Sequence, residues 1–130
     1  MGSQVPDTDA APRRSSGLLR VPFIRRCELS RSDGSSFSAF MVNINVLGAY
    51  VALDEQPPLG ERLACRFRMP GNEREIAAGA VVVWLNPRQQ HPVHSLPPGF
   101  GLKFEALTEE DSNRIEVFVE EYARRSSARR

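Results

Sequence analysis

Lysine is nearly missing from this chain. Lys103 is the one lysine among 17 basic residues, and the others are all arginine. Cysteine is also sparse: Cys27 and Cys65 have no CxxC spacing, so no metal or redox signature is present. Each lies in an alternating run, where a small buried hydrophobe is common. The two histidines, His91 and His94, share one loop. They fall short of the three or four ligands that zinc requires. No glycine-rich phosphate loop and no GxSxG turn occurs, and no nucleophile stands beside a base. No enzyme and no cofactor are expected. Apolar runs stay far below the roughly 18 residues of a membrane span. The N-terminal stretch has no hydrophobic signal core, so a cytoplasmic location is the expectation. A net charge of +1 gives no support for nucleic-acid binding.

What is present suits one domain of 130 residues. Ten prolines and nine glycines imply many turns and a β-rich fold. The arginines gather at both ends: Arg13, Arg14, Arg20, Arg25 and Arg26, then Arg124, Arg125, Arg129 and Arg130. A GC-rich genome explains part of this bias. Arginine is nevertheless the better residue for planar, bidentate recognition of phosphate or guanine.

Residues 1–19 are polar and proline-punctuated, and are expected to form a flexible, arginine-containing arm. Residues 20–125 are expected to form the folded domain, and residues 126–130 a disordered basic tail. Alternation predicts strands over 21–30, 36–46, 48–53, 62–69, 74–85 and 99–104. Turn signals separate them at Ser32-Asp33-Gly34-Ser35, Gln56-Pro57-Pro58-Leu59-Gly60 and Pro70-Gly71-Asn72, and a long loop covers 86–98. Thr108 then reads as a helix N-cap, with Glu109, Glu110 and Asp111 in the first turn. Ile115, Phe118, Val119 and Tyr122 form one apolar stripe, to lie against the sheet or against a barrel mouth. Six strands with hairpin-length links and a final helix predict a mainly β fold, a small antiparallel barrel without exposed edges.

One stretch breaks the apolar alternation: Asn43-Ile44-Asn45-Val46-Leu47-Gly48. Asn43 and Asn45 are two apart, so in a strand they face one side, outward, with Ile44 and Val46 toward the core. Gly48 supplies positive φ for a reversal. The stretch is either an ordinary turn or one half of a site that binds a nucleobase or phosphate through paired amides. Trp84 closes a strand and reads as core or rim rather than as a stacking platform.

From about Arg13 to Tyr122 the chain resembles the PilZ domain family, a bacterial receptor module for cyclic di-GMP. Arg20-Val21-Pro22-Phe23 resembles the second arginine of the family's Arg-x-x-x-Arg motif and the strand after it. Asn43 to Gly48 resembles its Asp/Asn-x-Ser-x-x-Gly element. Ala78 to Trp84 is similar to its late strand. Pro97-Pro98-Gly99-Phe100-Gly101-Leu102-Lys103-Phe104 resembles the variant abundant in myxobacteria. Two positions depart from the motifs: Ser16 stands four residues before Arg20, and Asn45 replaces the central Ser. The resemblance implies a six-stranded barrel with a C-terminal helix and cyclic di-GMP as ligand. It implies Arg13, Arg14 and Arg20 as clamps, Asn43 and Asn45 as base or phosphate contacts, and Gly48 as the turn. It also implies an unidentified effector protein as partner, in motility, polarity or exopolysaccharide control. The two departures leave a second reading: an adaptor that works by protein contact without the nucleotide.

Overall fold

A computed structural model describes residues 19–71, 74–88 and 96–128. Its elements are β1 (Val21–Arg31), β2 (Ser36–Ile44), β3 (Gly48–Ala52), β4 (Arg62–Arg68), β5 (Glu75–Asn86), β6 (Gly99–Ala106) and α1 (Glu109–Ala128). The strands close a barrel in the order β1-β2-β3-β6-β5-β4, with every neighbouring pair antiparallel. The expected six-stranded antiparallel barrel with a C-terminal helix is the fold observed.

Strand alternation sets the interior. Cys27 and Leu29 of β1, Leu63, Cys65 and Phe67 of β4, and Ile76, Ala78, Ala80 and Val82 of β5 all point inward and are buried. The intervening Arg62, Ala64, Arg68, Glu75 and Ala77 are exposed. Small residues at 78 and 80 leave room for Phe67, Phe100 and Phe104, as the tight interior of a six-stranded barrel demands. The turns form where their signals stand. Gly34, Gly60 and Gly71 take φ of +94°, +88° and +73°, values that glycine adopts without penalty. In the first of these turns Asp33 Oδ1 accepts from the Ser35 amide at 2.9 Å and its hydroxyl at 2.7 Å. These bonds hold the Asp33 carboxyl below its usual pKa.

Helix α1 lies across the barrel end where β1 begins and β4 finishes. Ile115 and Val119 are fully buried in the common core. Phe118 packs on Phe23 with centroids 5.4 Å apart, and Phe23 meets Phe67 edge-on at 5.9 Å. Thr108 Oγ1 accepts from the Asp111 amide at 3.0 Å, the expected N-cap. Asp111 does more than favour the helix dipole. It is buried and pairs with Arg114 at 3.0 Å, while Arg114 donates to the Arg74 carbonyl at 2.9 Å. Arg74 in turn pairs with Glu110 at 2.8 Å, so a charged network ties the helix start to the start of β5.

Other strand limits shift by no more than two residues from the sequence reading, and three differences have a clear physical cause. β2 stops at Ile44, because residues 45–47 form the turn. β5 includes Asn86, which is buried rather than in a loop. The helix runs through Ala128, so residues 126–128 are helical where a disordered tail was expected, a continuation that adds a backbone bond per residue. Asn72 of the third turn, and His91 and His94, lie outside the described residues.

Candidate functional site

The Asn43–Gly48 stretch joins β2 to β3 at the barrel end covered by α1. Arg20, exposed just before β1, donates from Nη1 to Asn43 Oδ1 at 3.3 Å. Two of the expected site residues, far apart in sequence, are thus in contact. Partial desolvation lowers the Arg20 pKa from its ordinary value, but a guanidinium remains a cation in water. Arg13 and Arg14 lie outside the described residues.

Asn45 corrects the expectation of two outward amides. It follows the last β2 residue and is buried, and its Oδ1 accepts from the amides of Leu47 at 2.9 Å and Gly48 at 3.0 Å. Its own amide donates to the Gly48 carbonyl at 2.9 Å. A short polar side chain that bonds the backbone two and three residues on is a turn-former. Asn45 therefore builds the turn rather than lining an outer face with Asn43. Gly48 is corrected too: its φ is not among the positive ones. Its requirement is space. A Cβ there would stand 1.9 Å from the Leu102 carbonyl oxygen of β6.

The outer side of the barrel beside this turn holds an aligned row whose ends reach the surface and whose middle, Tyr50 and Gly101, is buried. Asn43 pairs with Tyr50, Tyr50 with Gly101, and Gly101 with Trp84, crossing β2, β3, β6 and β5. At about 4.8 Å per strand the row spans roughly 14 Å. Both of its ends sit at bulges. The ladder shifts between Met41 and Asn43, and again between Val82 and Trp84. Met41 and Val82 are buried in the core. Without the extra residue in each strand, Asn43 and Trp84 would share their facing; the bulges turn both outward. Trp84 is 42% exposed, so of the two expected placements it takes the rim and not the core.

Tyr50 anchors the middle of the row. Its hydroxyl donates to the Pro97 carbonyl at 2.6 Å and accepts from Asn86 Nδ2 at 3.0 Å. Its ring lies 5.5 Å from that of Trp84, tilted by 47°. Burial raises its pKa, with the Asn86 bond opposing. Glycines make the room. A Cβ on Gly101 would press Trp84 Cβ at 3.4 Å, and one on Gly99 would meet Val51 O at 2.1 Å and the Tyr50 ring at 3.0 Å. In the next row Lys103, exposed, stands opposite both Gly48 and Val81. The shelf thus offers a guanidinium and an amide at one end, an aromatic face at the other, and an ammonium beside them. Such a surface can hold phosphate and stack a flat base. Tyr50 and Gly101 carry no local signal in the sequence that joins them to Asn43, and Trp84 stays between core and rim because the run Val81-Val82-Val83-Trp84-Leu85 has no alternation to assign a facing. Among the described residues no group of three or more His, Cys, Asp or Glu could hold a metal.

The fold is shared with solved structures. The Bacillus subtilis inhibitor of motility (MotI/DgrA) superposes with a TM-score of 0.65 at 21% identity, over 86% of this chain and 52% of that one. Escherichia coli YcgR in complex with c-di-GMP gives 0.65 at 14% identity, over 85% of this chain and 47% of that one. The isolated PilZ domain of YcgR with c-di-GMP gives 0.60 at 15% identity, over 85% and 95%. The chain therefore spans about half the length of the first two. No curated protein sequence matches it. The model of the PilZ domain family matches residues 11–121, and with that match over most of its length the chain belongs to the PilZ domain family.

Proposed function

We propose that the chain is a non-catalytic cytoplasmic receptor that binds cyclic di-GMP on this outer shelf and passes the signal to a partner protein. The carrying observation is the Arg20–Asn43 contact at one end of a row that finishes in exposed Trp84. Arg20, with Arg13 and Arg14 upstream, would clamp guanine edges or phosphate, since a guanidinium pairs bidentately with guanine O6 and N7. Asn43 would hold the same group from below. Asn45 and Gly48 would act by shaping the turn, and Trp84 by stacking a base. Two of the similar structures are of YcgR with c-di-GMP. The run Pro97 to Phe104, which seats Tyr50, supports the variant abundant in myxobacteria as the nearer kin.

Isothermal titration with cyclic di-GMP, with GTP as control, tests the reading. A dissociation constant of about 1 μM is expected, near −8 kcal/mol. Arg20→Ala and Trp84→Ala should each weaken it by about tenfold or more. No heat at roughly 1 mM ligand, or an undiminished Arg20→Ala variant, would refute it. The second reading, an adaptor without nucleotide, draws support from Asn45. The residue at the motif's serine position is turned into the β2–β3 turn. In that case amide resonances of residues 1–19 would not move at saturating cyclic di-GMP.

A further inference from the structure

Nine of the described arginines, from Arg25 to Arg114, divide into two groups. Arg31, Arg62, Arg74, Arg88 and Arg114 each pair with a carboxylate, at 3.2, 3.0, 2.8, 2.9 and 3.0 Å. Among the described residues Arg25, Arg66 and Arg68 pair with no carboxylate, and Arg26 donates to the Ser38 hydroxyl at 3.2 Å. These four line one groove of about 300 Å³ between β1 and β4, together with Glu28 and Glu75. Glu28 stands opposite Arg66 across the ladder. Its carboxylate instead accepts from the Ser38 hydroxyl, which leaves the guanidinium unmatched.

The groove lies along a seam. The β1–β4 register runs from Arg31↔Leu63 to Glu28↔Arg66 and stops there, although β1 begins back at Val21. Beyond Glu28 the two strands are joined inside by the Phe23–Phe67 contact rather than by a ladder. The rim is apolar. Phe40, the register partner of Arg26, is 55% exposed, and Ile24 is 70% exposed. In the strand order β1-β2-β3-β6-β5-β4 the β1–β4 junction is directly opposite the β3–β6 junction at the centre of the shelf.

We propose that this groove is a docking site for an acidic, partly apolar segment of a partner protein, separate from the nucleotide shelf. Charge complementarity selects the occupant. Four arginines against two glutamates favour carboxylates, and exposed Ile24 and Phe40 favour apolar side chains between them. A continuous polyanion fits less well, because Glu28 and Glu75 repel a phosphate backbone and a net charge of +1 gives no long-range pull. An extended segment suits the open seam, where its backbone can run beside β1. A partner seated here leaves Arg20, Asn43 and Trp84 uncovered, so partner and nucleotide can be held together.

The test uses the full chain and a fluorescein-labelled peptide of alternating Glu and Leu, followed by anisotropy. The wild-type chain should bind it, and binding should weaken as salt rises. Arg66→Gln with Arg68→Gln should lower the affinity by about tenfold or more. Arg62→Gln, which alters an already paired arginine, should change it by less than about twofold. Arg66→Glu with Arg68→Glu should reverse the preference toward a Lys and Leu peptide, which excludes loss of fold as the cause. The cyclic di-GMP titration should be unchanged in the Arg66/Arg68 variants. Equal loss in Arg62→Gln would overturn the proposal. So would tighter binding of single-stranded DNA than of peptide, or loss of cyclic di-GMP binding along with peptide binding.

Discussion

Replacing Gly48 by alanine tests whether close strand approach, rather than backbone conformation, makes glycine necessary in the β2–β3 turn. The new Cβ would lie 1.9 Å from Leu102 O, 3.0 Å from Leu102 C and 3.2 Å from Lys103 Cα. All three are backbone atoms, so no side chain can swing aside. Relief requires β3 and β6 to part by roughly 1 Å or more. One bond spans this place, Phe104 N to Leu47 O at 2.8 Å, beside the Asn45 N to Gly48 O bond that closes the turn. A shift of that size takes the spanning bond beyond hydrogen-bond range. At about 1 kcal/mol for that bond, and about 1–3 kcal/mol for the packing disturbed around Ala49 and Leu102, the expected loss is about 2–4 kcal/mol. With a urea slope of about 1.5 kcal/mol per M, the midpoint should fall by roughly 2 M. Gly34→Ala is the control. Its φ is +94° but nothing lies within 4 Å of a Cβ there. Only backbone strain of about 1–2 kcal/mol then applies, and the midpoint should fall by roughly 1 M. A Gly48→Ala midpoint equal to or above that of Gly34→Ala would refute the steric reasoning.

Tyr50→Phe should destabilise the chain by about 1–3 kcal/mol, since Asn86 and the Pro97 carbonyl each lose a buried partner. The change should also alter Trp84 fluorescence, because the rings are in contact, and an unaltered melting temperature would contradict the assignment. Cys65 gives a pH dependence. Its hydrogen bond with Cys27, then burial, push its thiol well above the ordinary value. A thiol that keeps its proton longer when folded contributes stability that is fully present below the unfolded pKa of about 8.5. That stability is lost as pH rises toward the folded value, because the unfolded chain releases the proton first. The urea midpoint should therefore be lower at about pH 9.5 than at about pH 7. Thiol reagents should label Cys27 and Cys65 only in denaturant; rapid labelling of the native chain would show that the pair is not buried.

Much of the fold was legible because its interior follows a period of two. Leu63, Cys65 and Phe67 alternate with Arg62, Arg66 and Arg68, and the barrel reproduces that division. The helix was legible from Thr108 and from the stripe at 115, 118, 119 and 122, since capping and a 3.6-residue period are local signals. The site was legible in part. Arg20 and Asn43 were expected together and are in contact. Asn45 was misplaced because a rule for strand facing was carried past the end of the strand. Trp84 stays between core and rim in the sequence because a bulge changes facing without any mark in a run of consecutive apolar residues.

The sequence by itself determined which residues enter the core and where the chain turns, because alternation, glycine, proline and caps act within a few neighbours. It also determined the family, through elements kept in order along the chain. Only the tertiary structure decided which residues share a surface. Barrel closure places Asn43, Tyr50, Gly101 and Trp84 in one row although they are scattered from 43 to 101. The same closure decides which arginines meet a carboxylate and which stand together unmatched, because an ion pair depends on positions that only the folded strands bring within reach.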